Sequence, residues 1–332
     1  MALIISGDIH LHPHSAWSSI KDGFNTRLLH GWAAIKEISD RAGPGGNIII
    51  LGDWFEDRRN IPISAMEMTR RWLDMCHAQR QIIWILAGNH DQEWRNGEVN
   101  SLGLLERDNV CVIDQPKTVQ SRSYGVSMDF VPFHPDSSVT LQQILDIRAS
   151  YEAEPGTTRL LLLHAEFYGA SMDSGDLCGR GLKPADMPDG YSMIISGHFH
   201  APQKLGKVHY VGSPYQISAG EMGNQNRLFV MSNGRIESEP ITVCPRFRRV
   251  SMAEAQTLGE SAKNDFLIIE CADQKELSTA TTLFSNCKTK LARPIAQRVS
   301  YTSGDTVDII AKWLKARDRE RLIPQALELY KS

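Results

Sequence analysis

The chain has no apolar run near the roughly 18 residues that cross a bilayer, so no membrane span is expected. Its first residues, MALIISGDIH, carry neither a basic leading region nor a cleavage site. No secretory signal is expected, and the short apolar run reads as a first strand. Cysteine is scarce: six residues, Cys76, Cys111, Cys178, Cys244, Cys271 and Cys287, none at C-x-x-C spacing. Reduced, structural thiols in a cytoplasmic protein are therefore expected. A basic excess is also missing, since the net charge is −3. A stand-alone nucleic-acid binder is usually basic, so any such affinity would rest on local patches or on a partner. There is no low-complexity segment and no internal repeat.

What is present is a length of 332 residues with 42% hydrophobic content, which suits one large domain plus a smaller one. One layout recurs along the chain. An apolar strand ends in a polar cluster in LIIS-GDIH, NIIIL-GDWFED, QIIWILA-GNHD, RLLLL-HAEF and SMIIS-GHFH. Helical stretches separate the first three. Residues Thr26 to Arg41 place Leu28, Leu29, Trp32, Ile35 and Ile38 near a 3.6-residue period. Ser64 to Gln79 repeats this with Met66, Met68, Trp72, Leu73 and Met75, and Ser64 is the expected N-cap. Alternating strands and helices predict an α/β fold around a buried sheet, with ligands beyond the carboxyl ends of the strands. Every polar cluster lies there.

The clusters hold metal-ligand chemistry. Asp8 and His10 form D-x-H, Asp53 ends the second strand, Asn89 and His90 follow the third, His164 the fourth, and His198 and His200 form H-x-H. An extended D-x-H or H-x-H segment would point both side chains the same way. With His90 set aside, two carboxylates, an amide oxygen and four imidazoles suit Mn²⁺, Fe²⁺ or Zn²⁺ better than Mg²⁺ or Ca²⁺. Seven ligands exceed one such ion and suit two, about 3.5–4 Å apart, sharing a carboxylate. Each motif alone is a weak signal. Five in this order at strand ends are specific.

These segments resemble the five motifs of the calcineurin-like metallophosphoesterases. Within that superfamily the chain is most similar to DNA-repair nuclease subunits of the SbcD and meiotic-recombination-eleven type, including phage relatives. GHFHAPQ followed by YVGSPYQISAGE carries that similarity. The resemblance implies a two-sheet sandwich flanked by helices, then a small α/β capping domain and a helical tail. The expected bounds are 1–244, 245–303 and 304–332. It places one ion on Asp8, His10, Asp53 and His200, and the other on Asp53, Asn89, His164 and His198. Asp53 bridges, and Mn²⁺ is the expected metal. His90 is then the proton donor. Glu56, three residues after Asp53, is expected to aim its carboxylate at His90 and keep it protonated. Asp91 is expected to fix the turn.

The resemblance further implies a DNA nuclease, exonuclease 3′ to 5′ on double strands and endonuclease on single strands, acting as a homodimer with an SMC-like ATPase of the SbcC type. The alternative is a small-molecule phosphodiesterase or phosphatase of the same superfamily, although GDWFED and GNHD differ from the protein-phosphatase pattern. His12 stands where relatives often carry glycine, with His14 close behind; contact with metal or DNA is the alternative, and a solvent-facing position is expected for both. His134 is expected to be structural. Arg58, Arg59, Arg180, Lys183, Arg246, Arg248 and Arg249 are candidate phosphate contacts. In the tail, Val307, Ile310, Leu314, Ile323, Leu327 and Tyr330 suggest two short amphipathic helices that pack on the capping domain or dock on a partner.

Overall fold

The computed structural model describes residues 2–94, 99–150, 157–232, 235–258, 264–284 and 287–291, with positions 314, 322 and 323. The chain divides into two compact units, Met1–Arg249 with Thr257–Leu267, and Val250–Gln256 with Ile268–Ser332.

The first unit begins with β1 (Leu3–Ser6), a small hairpin of β2 (Ile20–Lys21) and β3 (Phe24–Asn25), α1 (Thr26–Ala42), β4 (Asn47–Ile50), α2 (Ile63–Ala78), β5 (Ile82–Leu86) and β6 (Val110–Ile113). It continues through β7 (Lys117–Ser121), β8 (Val126–Val131), α3 (Ser137–Ser150), β9 (Thr158–His164), β10 (Met193–Gly197), β11 (Gln203–Leu205), β12 (Val208–Tyr210), β13 (Arg227–Ser232) and β14 (Arg235–Pro240). Two six-stranded sheets result, in the orders β14-β13-β1-β4-β5-β6 and β11-β12-β10-β9-β8-β7. Within the first, β1, β4, β5 and β6 are parallel. Within the second, β8, β9, β10 and β12 are parallel. Antiparallel strands close both edges of the second sheet and one edge of the first, whose other edge is the parallel β6.

Side-chain alternation explains the layering. Leu3, Ile5, Ile49 and Leu51 point between the sheets and meet Met128, Phe130, Leu160, Leu162 and Ile195. Their neighbours Ile4, Ile48 and Ile50 point to the other face, where Leu28, Ile35, Ile38, Met68, Trp72 and Leu73 cover them. Leu161 and Leu163 likewise face Ile144 and Ile147 of α3. Each sheet is therefore buried on both faces, and the central strands read as unbroken apolar runs. Full burial of one such side chain is worth roughly 1.5–3 kcal/mol.

The helix caps differ in part from expectation. Asn25 caps α1 by accepting from the main-chain N–H groups of Arg27 and Leu28. α2 begins one residue before Ser64, after Pro62, with no side-chain cap. Proline's fixed φ already suits a helix entry, so the serine hydroxyl is not needed there. All six cysteines are free thiols. Among the described residues no helix is long and apolar enough to cross a membrane.

β15 (Phe247–Ser251), α4 (Met252–Thr257), β16 (Phe266–Cys271), α5 (Gln274–Leu283) and β17 (Cys287–Leu291) follow, and the three strands form one sheet in chain order. Asp273 caps α5 by accepting from Glu276 N, and the Glu276 carboxylate accepts from Ala272 N. The strand expected over 294–302 lies outside the described residues. So does the tail 304–332, apart from Leu314, Leu322 and Ile323.

Candidate metal centre

The carboxyl ends of β1, β4 and β5 in one sheet and of β9 and β10 in the other meet at a common site. Bonds between sheets show this directly. His198 N donates to Asp8 Oδ1 at 2.8 Å, and His164 Nδ1 donates to the Leu51 carbonyl at 2.6 Å. The loops are tied as tightly. Asp91 accepts from Asp53 N, Trp54 N and Gly88 N at 2.7–2.9 Å, so it fixes the turn. The Asp53 carbonyl accepts from Ile9 N and His10 N.

His10 and His198 are not placed by extended i, i+2 geometry. His10, Asp53 and His198 have φ of 47°, 52° and 90°, in the left-handed region. Asp and His tolerate that region better than most residues, and such strain persists where packing over-determines it. Next to Asp53, the fully buried Trp54 indole stacks near Trp72 and donates to Thr69 Oγ1 at 2.9 Å. Gly88 must be glycine, because a Cβ there would sit 2.3 Å from Asp53 Oδ1.

The side chains form two clusters around Asp53. In the first, His10 Nε2 and His200 Nε2 are 3.0 Å apart. His200 Nδ1 donates to Glu221 Oε1 at 3.0 Å. Glu56 Oε2 lies 2.8 Å from His10 Nδ1, close enough to pair in charge though not aligned as a straight hydrogen bond. Both carboxylates favour a proton on Nδ1 and so turn Nε2 of each ring toward the other. Asp8 Oδ2 is buried without a partner. In the second cluster, Asn89 Oδ1 is 2.9 Å from His164 Nε2 and 2.7 Å from His198 Nδ1. The Leu51 carbonyl holds the proton of His164 on Nδ1, and Glu166, 3.4 Å from His198 Nε2, favours the proton there. Three acceptor atoms therefore face one another. Asp53 Oδ2 lies 3.5 Å from both His10 Nε2 and His164 Nε2, between the clusters. Convergent nitrogen and oxygen ligand atoms, buried and with too few hydrogens to pair them all, are the chemistry of a divalent-cation site.

Charge follows from burial and neighbours. Burial pushes His164 down to about 3 and His10 down to about 4, so both are neutral. Burial would lower His200 too, but Glu221, then Asp8 and Asp173, outweigh it and hold the imidazole up at about 10. The proton then on Nε2 bridges to His10, and a metal would displace it. Asp53 is raised by burial, Asp91 and Asp8. Asp8 resists burial because His164, His200 and His10 lower it.

Two expectations need correcting. The Glu56 carboxylate meets His10, while its main-chain carbonyl accepts from His90 Nδ1 at 2.5 Å. Burial lowers the His90 pKa and outweighs the raising effects of the bond to the Glu56 carbonyl and of the Glu56 charge. The local turn brings the Glu56 backbone, not its side chain, under that ring. His12 and His14 are half-buried, not solvent-facing, with rings 4.9 Å apart, and burial pushes His14 down to about 4. Arg180 is occupied by a two-pronged pair with Glu166 at 2.6 and 2.8 Å, and Arg248 pairs with Asp265. His134 accepts from Asp136 N in a local turn. Motif reading missed Glu221 and Glu166, which orient His200 and His198, and Phe133, stacked on His198. Glu166 adjoins His164 and Glu221 closes the GSP…S…E segment, so only the pairing was hidden.

The sequence model of calcineurin-like phosphoesterases matches residues 1–202, more than half of the chain. The chain belongs to the calcineurin-like phosphoesterase family. It is a hydrolase of a family that uses divalent metals, and its clusters Asp8–His10–His200 and Asp53–His164–His198 could each hold an ion. This phosphoesterase is similar to exonuclease subunit 1 of Enterobacteria phage T4, 28% identical over 178 residues. The match covers 52% of the chain and 49% of the phage protein, so it spans about half the length of that relative. Among solved structures, the calcineurin-like phosphoesterase YfkN of Bacillus subtilis aligns over 72% of this chain and 88% of its own, at 12% identity and a TM-score of 0.40. A candidate 5′-nucleotidase of Staphylococcus aureus, solved with alpha-ketoglutarate, aligns over 72% of this chain and 52% of its own, at 14% identity and 0.40.

Proposed function

We propose that the chain is a two-metal DNA phosphodiesterase, the nuclease subunit of an SbcCD-like complex. The observation that carries the two-metal part is the pair of lone-pair clusters sharing Asp53 Oδ2 at 3.5 Å from each side. Asp8, His10, Asp53 and His200 would hold one ion, and Asp53, Asn89, His164 and His198 the other. Mn²⁺ suits that mixed nitrogen and oxygen set. When bound, such a pair supplies Lewis acidity at a phosphate and lowers the pKa of a water.

The protein's own residues do the rest. Glu56, Glu221, Glu166 and the Leu51 carbonyl each fix which nitrogen of a ligand ring faces the centre. His90 is the general acid. The Glu56 carbonyl can only accept, so His90 keeps its resting proton on Nδ1. Nε2 is left for the leaving oxygen, and the negative charge of a bound phosphodiester favours the imidazolium that can donate there. The buried ring is neutral at rest and becomes an acid only with substrate in place.

DNA as substrate is supported by the motif similarity to SbcD-type nucleases and by the match to a phage protein named an exonuclease subunit. The same similarity supports a homodimer working with an SMC-like ATPase. The test is end-labelled linear DNA incubated with the protein, with and without Mn²⁺ and chelator, beside a panel of small phosphoesters. Mn²⁺-dependent shortening from the 3′ end is the expected result. Turnover of small esters without any attack on DNA would overturn the DNA assignment and leave a small-molecule phosphodiesterase.

A further inference from the structure

The loop that carries His90 also carries an aromatic group that the chemistry above does not use. Trp94 is 56% exposed, a large apolar ring left in water four residues after His90. The Arg59 guanidinium lies over it, 4.1 Å from the ring centroid. Arg59 is three residues after Glu56, whose carbonyl holds His90. The two loops that build the His90 side of the centre thus each present one half of this pair.

The pair is held from below. Asp57 Oδ1 accepts from Arg59 N at 2.9 Å and from Asn60 N at 3.0 Å, which sets the turn that carries the guanidinium. Glu93 N donates to the Val99 carbonyl, Gln92 bridges to Asn100, and Gln92 Nε2 donates to the Phe133 carbonyl at 2.9 Å. The indole therefore sits on an anchored stem. Its charge partner is a planar cation that itself stacks well on aromatic rings.

We propose that Trp94 and Arg59 form a stacking platform for one unpaired nucleobase of the strand being cut. The inference rests on the nuclease reading above and names a contact that reading does not contain. An indole face takes any base, because every base has a π face, and a guanidinium adds attraction to the base and to its phosphate. The platform is carried by the same two loops that hold His90, the donor for the leaving oxygen, so it would hold a nucleotide near the scissile bond. It selects frayed ends and single strands, since a base inside a duplex offers no free face.

The experiment uses the full-length, Mn²⁺-loaded protein. A phosphorothioate-linked single-stranded oligonucleotide carrying 2-aminopurine reports stacking by loss of its fluorescence. KM and kcat are then measured on an ordinary single-stranded oligonucleotide and on bis(p-nitrophenyl) phosphate, which has no nucleobase. In Trp94→Ala the quenching should vanish, and oligonucleotide affinity should fall roughly 5- to 150-fold. The loss on the oligonucleotide should exceed any loss on the small diester. Trp94→Phe keeps an aromatic face and should restore most of the affinity, and Arg59→Ala should give an intermediate loss. Equal losses on both substrates, or failure of Trp94→Phe to rescue, would make the pair a structural brace and overturn the platform. Unchanged quenching in Trp94→Ala would do the same. If the unaltered protein hydrolyses the small diester but neither binds nor cuts DNA, the nuclease reading itself has failed. If it cuts DNA and Trp94→Ala is indistinguishable from it, only the platform has.

Discussion

The two halves of the centre are built from similar ligands but supported differently. On one side, His10 and His200 are each backed by a carboxylate, Glu56 and Glu221. On the other, His164 is backed by the neutral carbonyl of Leu51, and only His198 has a carboxylate, Glu166, at a longer 3.4 Å. Burial, with His198 and His10 adding to it, drives His164 down, whereas the acids hold His200 up at about 10. A carboxylate behind an imidazole increases its basicity and so its grip on a cation, and also on a competing proton. On the two-metal proposal, the two ion positions would therefore not be equivalent. The His200 side would bind more strongly at high pH and release a proton on loading, and the His164 side would load without one.

The sharpest way to break the comparison is to remove what both halves share. Asp53→Asn takes away the carboxylate whose Oδ2 lies between them and should abolish hydrolysis, a loss of at least on the order of 10³-fold. It should also lower the number of bound ions measured by calorimetry. A fully loaded, active Asp53→Asn protein would dismantle the shared-carboxylate arrangement.

The next test separates a ligand from an acid. His90→Ala should retain both ions and lose on the order of 10²–10⁴-fold in rate. His164→Ala should lose metal as well as rate. Metal content and turnover must be read on the same samples. Loss of metal in His90→Ala, with normal rate per bound ion, would move His90 into the ligand set.

A smaller effect sharpens the asymmetry itself. Glu221→Gln keeps a hydrogen-bond acceptor but removes the charge behind His200, and should weaken one ion position about 10- to 100-fold. It should also reduce the protons released on Mn²⁺ binding, compared in buffers of different ionisation heat. Glu166→Gln should weaken the other position by less, because its contact with His198 is longer and shared with Arg180. Equal effects from the two variants would erase the distinction between the halves.

The smallest effect concerns an imidazole away from both halves. His30 is pushed down to about 4 by burial, then by Arg27, against an ordinary value of 6.5. Its folded-state pKa is depressed, so the unfolded chain binds the proton first as pH falls. Stability is lost from about pH 6.5 down to about 4, and none is lost above that window. With partial exposure screening the effect, the change is on the order of 1–2 kcal/mol. Comparing melting temperatures at pH 7 and pH 5 for wild type and His30→Gln checks it, and an identical pH slope would count against it.

Much was settled by local order in the chain. Unbroken apolar runs such as III in β4 and LLLL in β9 mark strands covered on both faces, and the 3.6-residue spacing marks α1 and α2. Polar residues just past such strands must gather at one edge of each sheet, because parallel strands share a direction. Residue type and strand-end position were therefore readable for Asp8, Asp53, Asn89, His164 and His200. What only the tertiary structure decided was which atom meets which. Glu56 faces His10 and offers His90 its backbone, because His10 leaves the strand with φ of 47° and turns its ring toward that acid. Glu221 reaches His200 across 21 residues, and the Leu51 carbonyl reaches His164 across 113. The stacking of Arg59 on Trp94 joins two loops in the same way. Spacing along a chain encodes the direction of a side chain within one strand or helix turn. Contacts between elements depend on how the sheets pack and how strained turns aim their residues, and no local period carries that information.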